Sequence, residues 1–195
     1  NGLTFPTGMD VDPTNWMVSM CPSTGPDPFL YSDTLTTVFM SQGWSSNPKV
    51  YVSTTSVSNQ TVGMIAALAG NYPGTTTQNY PMIAGSGDTL GVVWQQQDGS
   101  GNMDVYFAWS VSGAAGLVNN EMVVNNNTTG TQRNPHIAYA AGKFHITFQD
   151  AVTGPITYDL VSLYRDCYIR WPQAEVVQWV SNYYRRCAQQ GLVCA

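Results

Sequence analysis

The sequence predicts a mainly β protein built of three copies of one four-stranded antiparallel meander, followed by a short C-terminal helix. Two observations carry that prediction. The chain copies itself at a spacing of 54 to 55 residues: Thr77-Gln78-Asn79-Tyr80-Pro81-Met82-Ile83-Ala84 returns as Thr131-Gln132-Arg133-Asn134-Pro135-His136-Ile137-Ala138, and Asp33-Thr34-Leu35 returns as Asp88-Thr89-Leu90. The aromatic residue that ends the following strand recurs as Phe39, Trp94 and Phe148. A repeat of this length marks units that each bury an apolar face against the next. The chain accordingly reads as an N-terminal segment over 1–25 that packs on or completes the repeats, three repeats over 26–164, and a tail over 165–195.

The second copy is the clearest. Met82 to Ala84 is a short apolar stretch ending at the turn composition Gly85-Ser86-Gly87-Asp88. Leu90 to Trp94 is strongly β-forming, and Asp98-Gly99-Ser100-Gly101-Asn102 reads as a hairpin loop. In the next strand Val105, Phe107 and Trp109 alternate with Tyr106, Ala108 and Ser110, and Met122 to Val124 closes the unit. The first copy runs Leu35 to Met40, Val50 to Thr54 and Met64 to Leu68; the third runs His136 to Tyr139, Phe144 to Gln149 and Ile156 to Leu160. Three such four-stranded units predict propeller-type blades, either a partial ring or one completed by oligomerisation. Three blades leave strand edges open, so pairing with another chain is expected.

The tail changes character. Pro172 suits a first helical turn and Gly191 a helix stop; between them Val176, Trp179, Val180, Tyr183 and Cys187 form one apolar stripe. This predicts an amphipathic helix over 173–190, with Arg185 and Arg186 placed to complement its dipole.

Composition bounds the partners. Only 10% of residues are charged, and seven Lys and Arg face twelve Asp and Glu for a net charge of −5. That balance argues against a nucleic-acid partner, whose affinity rests on phosphate neutralisation. No apolar run reaches the ~18 residues of a membrane span. The start at Asn1, without methionine, is read as removal of a leader or a larger precursor, or equally as the start of a fragment. Cys21, Cys167, Cys187 and Cys194 are an even set without zinc-site spacing, and are read as disulfide candidates tying the tail. Asn59, Asn126 and Asn127 head glycosylation sequons. Together they predict a secreted glycoprotein in an oxidising, extracellular setting.

Segments such as Pro81-Met82-Ile83-Ala84, Gly91-Val92-Val93-Trp94-Gln95 and Asp104-Val105-Tyr106-Phe107-Ala108-Trp109-Ser110 resemble the repeats of sialidase-like, Asp-box (BNR) β-propellers over roughly 26–164. The family's Ser-x-Asp-x-Gly-x-Thr-Trp turn is worn: Ser110 to Leu117 lacks its Asp and Trp, as does Ser56 to Gly63. The resemblance implies glycan recognition. It implies no catalysis, because the catalytic members use three arginines, a Tyr/Glu pair and an acid/base Asp. The repeats hold one Arg, Arg133, and one Glu, Glu121, so no catalytic residue is carried over.

Among individual residues, Trp44 stands inside a Gly/Ser/Asn loop rather than on a strand, which makes it the ligand-binding candidate, whereas Trp94 and Trp109 read as core. Asp98, Ser100, Asn102 and Asp104 alternate oxygen ligands as calcium loops do; they are the metal candidates, although an ordinary hairpin turn is the plainer reading and no other cofactor is expected. His136 and His145 read as packed or edge histidines. The expected function is a non-enzymatic, carbohydrate-binding or adhesive module that partners glycans or further copies of itself. The alternative is a structural subunit of an extracellular assembly or filament, with a glycoside hydrolase third.

Overall fold

A computed structural model describes residues 8, 10–18, 24–126, 129–151 and 172–189. The chain divides into two compact units, Asn1–Ala151 and Val152–Ala195.

The first unit is mainly β, with three antiparallel sheets of four, four and two strands. The first sheet is a meander of β1 (Asp27–Tyr31), β2 (Thr34–Ser41), β3 (Lys49–Ser56) and β4 (Thr61–Ala67). The second repeats it with β5 (Gln78–Ser86), β6 (Thr89–Gln97), β7 (Met103–Ser110) and β8 (Glu121–Val123), with a 3-10 turn at Ala114–Leu117 before the last strand. The third sheet pairs β9 (Thr131–Ala140) with β10 (Lys143–Ala151). The strand expected at Ile156–Leu160 lies outside the described residues. One strand escaped the sequence reading: β1 opens on Asp27-Pro28, a start that looks like a turn, yet it lies at a sheet edge, where proline is tolerated.

The sheets stack in chain order. Strand β5 packs against β1, β2 and β3, and β9 packs against β5, β6 and β7, so each inner strand meets the preceding sheet. No sheet closes on itself among the described residues. Between the first two sheets lies the core: Val38, Val50, Val52 and Leu68 from one side face Leu90, Val92, Trp94, Tyr106 and Ala108 from the other. Burial of this kind, at about 25 cal/mol per Å² of apolar surface, is the main force holding the meanders together.

The repeat extends to single bonds. Leu68 N–H donates to the Val50 carbonyl at 3.0 Å, and Val124 N–H to the Val105 carbonyl at 2.8 Å, one repeat later. A side-chain oxygen accepts from the N–H of the same two valines: Gln78 Oε1 from Val50, Asn125 Oδ1 from Val105. Gln78 also donates to Gln96 Oε1 at 2.7 Å, so a fully buried amide joins the first sheet to the second with its hydrogen bonds made.

Two expectations need correction. Trp94 is fully buried, but Trp109 is 45% exposed. Strand alternation fixed the side of β7 on which Trp109 stands; cover depends on the neighbouring sheet. Phe107, two residues earlier on that side, meets Phe144 of β10 at a ring separation of 5.4 Å. The second correction concerns the worn turns after β3 and β7. The first of them still has a carboxylate, supplied by Asp33 from the β1–β2 turn. Asp33 accepts from Ser56 Oγ at 2.6 Å, Ser58 N–H at 2.7 Å and Ser58 Oγ at 2.9 Å, which holds its carboxyl below the usual value.

The second unit contains helix α1, Gln173–Gln189. Glu175 and Val176 N–H groups bond the Pro172 carbonyl, opening the first turn. Val176, Trp179, Val180 and Tyr183 are half-buried and Cys187 is buried, so the expected stripe is the less exposed side. Cys187 is buried and makes no disulfide among the described residues. Cys21, Cys167 and Cys194 lie outside the described residues. No helix among the described residues is long and apolar enough to cross a membrane.

Candidate functional site

The residues that recur between repeats also shape an open cleft. Tyr80-Pro81 and Asn134-Pro135 are equivalent positions, and both Tyr80 (φ 55°) and Asn134 (φ 52°) adopt the left-handed conformation. Asparagine tolerates it through its short polar side chain; for tyrosine it costs of order 1–3 kcal/mol. At each place the ladder slips by one residue. Tyr80 and Pro81 together oppose Trp94, and Asn134 and Pro135 together oppose Phe148. These bulges re-aim the side chains at the heads of β5 and β9. The recurrent aromatics Trp94 and Phe148 therefore lie across from them.

A third step of the same kind precedes β1: Gly25-Pro26 lies 55 residues before Tyr80-Pro81. Thr24, Gly25, Tyr80, Pro81, Met82, Asn134, Pro135, His136 and Gln149 line one open cleft of about 500 Å³. Equivalent positions from all three repeats thus meet at the heads of the inner strands. Asp27 Oδ2 accepts from Ile83 N–H at 2.8 Å and Gln95 Oε1 from Asn134 N–H at 3.0 Å, which tie β1 to β5 and β6 to β9.

The lining mixes polar side chains with Pro81, Met82 and Pro135 and carries no Lys, Arg, Asp or Glu. Asn134 Nδ2 donates to Gln149 Oε1 at 2.8 Å, which leaves Asn134 Oδ1 as an acceptor and Gln149 Nε2 as a donor facing the opening. His136 is exposed at the rim, so it is an edge histidine that belongs to the cleft. Such a set suits hydroxyl and amide groups better than an ion. The sequence reading passed over Gly25-Pro26 and dismissed His136; the recurrent x-Pro step was the available signal.

Trp44 lies elsewhere. It is 59% exposed in the β2–β3 loop, edge-on to Tyr51 at 5.9 Å, and does not line the cleft. Its loop is held by residues 10–18: Thr14 Oγ1 and Ser41 Oγ share a 2.7 Å hydrogen bond, and a Cβ at Gly43 would stand 2.1 Å from Thr14 Oγ1. Only glycine fits there.

The calcium candidates serve the hairpin itself. Asp98 Oδ1 accepts from Ser100 N–H and Asn102 N–H, both at 2.8 Å, and Asn102 turns its Nδ2 toward Ser100 Oγ. These bonds hold the Asp98 carboxyl below its usual range. Asp104 is buried on β7 and accepts from Asn125 Nδ2 at 2.8 Å. Asp98, Ser100 and Asn102 therefore share one hydrogen-bonded turn, and Asp104 is bonded apart from them. Of the sequon residues, Asn59 and Asn126 are exposed, and Asn127 lies outside the described residues.

No family model matches the sequence. A stretch of 47 residues, 24% of the chain, is 43% identical to an N-acetylmuramate/N-acetylglucosamine kinase of Pseudomonas putida and 47% identical to one of Neisseria meningitidis. The chain spans 14% of the length of these curated relatives. Among solved structures, a Trypanosoma rangeli sialidase in complex with 2,3-difluorosialic acid is similar at 11% identity and a TM-score of 0.35, over 63% of this chain and 18% of that one.

Proposed function

We propose that the chain is a non-enzymatic recognition module of propeller type that holds a neutral, hydroxyl-rich ligand, a glycan, in the cleft at the heads of its inner strands. The observation that carries this reading is the convergence of Gly25, Tyr80-Pro81 and Asn134-Pro135 on one uncharged cleft. Strained backbone concentrates at ligand sites, and here the same strain recurs in two repeats. The free Asn134 Oδ1 and Gln149 Nε2 supply an acceptor and a donor, and His136 adds a third polar group. The exposed Asn59 and Asn126 favour a secreted glycoprotein.

A glycan array with the full chain tests this. Binding should fall at least tenfold in Gln149→Ala and His136→Ala, while Trp44→Ala tests the loop as a separate contact. Absence of binding to every glycan would overturn the reading.

A second reading, a structural subunit of an extracellular assembly, is favoured by the outer strands. β4 and β8 each pair on one side only among the described residues, and such edges template pairing with another chain. Light scattering decides it: a species of 21.2 kDa alone would remove the argument.

A further inference from the structure

At the other end of β1 and β5, the equivalent turns Ser32-Asp33 and Gly87-Asp88 frame a second pocket of about 210 Å³. Its floor combines Phe29, half-buried, and Leu90 and Ala114, buried, with the side chains of Thr36 and Thr54. Its rim carries Tyr31, Ser32, Thr34 and Asp88, all except Thr34 from the two turns and the residue before them. Asp33 and Asp88 are counterparts, yet they are spent differently. The Asp33 carboxylate accepts three hydrogen bonds from Ser56 and Ser58. Their counterparts Ser110 and Ser112 bond each other instead, Ser112 N–H donating to Ser110 Oγ at 3.0 Å. Asp88 keeps only its backbone bond, its carbonyl accepting from Gly113 N–H at 2.9 Å, and its carboxylate has no partner among the described residues.

We infer that this pocket binds a guanidinium or ammonium group carried on a short apolar stem. The free carboxylate of Asp88 supplies a charge-assisted acceptor for the cation. The exposed ring of Tyr31, whose hydroxyl end approaches Gly87, supplies aromatic surface of the kind that attracts cations. Phe29, Leu90 and Ala114 take the methylene stem, as apolar surface does for lysine and arginine. The volume holds roughly seven groups of water size at ~30 Å³ each, the scale of an arginine side chain.

Nuclear magnetic resonance of the full chain, titrated with agmatine, tests the inference. The amide signals of Gly87 and Gly113 should move saturably. Asp88→Asn should weaken binding about tenfold, Asp88→Glu should retain most of it, and Tyr31→Ala should weaken it about threefold. 1-Pentanol, which has a stem but no charge, should leave the signals in place. Because the Asp88 carboxylate makes no bond in the fold, its variants should melt as the parent does. A parallel titration with Gly-Arg-Gly distinguishes the sources of the cation: tighter binding than agmatine marks a protein side chain, weaker binding a free amine. Equal agmatine affinity in Asp88→Asn, or pentanol binding as well as agmatine, would overturn the inference.

Discussion

Trp94 stacks on Tyr106 across β6 and β7, ring centroids 6.0 Å apart at 25°, and so repeats the stack of Phe39 on Tyr51 one unit earlier, at 5.8 Å and 22°. Each pair sits at directly opposed positions of adjacent strands, where side chains interact most strongly. In the second sheet the pair forms the surface pressed on the first, among Val38, Val50 and Val52. Offset aromatic pairs add ~0.5–1.5 kcal/mol to the burial of their area.

The two tryptophans of the second sheet should therefore separate cleanly. Trp94→Ala should destabilise by about 3–5 kcal/mol, the range for a buried aromatic cut to a methyl. Trp109→Ala, on a half-exposed ring, should cost less than about 1 kcal/mol. Urea unfolding of both variants checks this, and equal losses would mean that the sheets pack differently.

Gly91 predicts a steric effect. A Cβ there would lie 2.5 Å from Phe144 Cε1 and 2.9 Å from Phe107 Cε2, so the ring of Phe144 rests against bare backbone. Gly91→Ala should cost about 1–3 kcal/mol through overpacking, although alanine is otherwise the better strand residue. A double variant that also carries Phe144→Leu should recover part of the loss, which denaturation of the single and double variants would measure.

Asp33 predicts an acid transition. Its carboxyl sits below the ordinary 3.8 in the fold, because Ser56 Oγ, Ser58 N–H and Ser58 Oγ all donate to it. In that window the unfolded chain binds more protons, so the contribution is present above pH 3.8 and drains away as pH falls through the lowered value. Asp33→Asn should flatten that part of the stability profile, which acid unfolding of the parent and the variant would measure.

Lys49 predicts the opposite end of the scale. It is buried at the start of β3, its Nζ donating to the Tyr72 carbonyl at 3.4 Å, and burial lowers its pKa below 10.5. Between the lowered value and 10.5 the unfolded state holds the extra proton, so stability contributed here rises with pH. Tyr51 and Tyr106, raised by burial, pull the other way at alkaline pH. The difference between the parent and Lys49→Met isolates the lysine: the parent should gain on the variant as pH rises toward 10.5, and a constant gap would refute the assignment.

How much of this was legible depends on range. The strands of the first two meanders other than β1, the hairpin at Asp98-Gly99 and the helix with its stripe from Val176 to Cys187 follow from patterns within a few residues of each other. The inner strand Asp27–Tyr31 was missed because its proline and exposed edge look like a turn. The cleft was missed because its polar residues are scattered over 126 positions, from Thr24 to Gln149, and only stacking brings them together.

By itself, then, the sequence determined the period, the alternation and the helix, because backbone propensity and side-chain direction are local properties. The tertiary structure decided what each repeated position does. Asp33 is bonded where Asp88 is free, and Trp94 is fully buried where its counterpart Phe148 is only half-buried. The reason is physical: equivalent residues carry equivalent geometry, but their surroundings come from the sheet on either side, and the sheets differ.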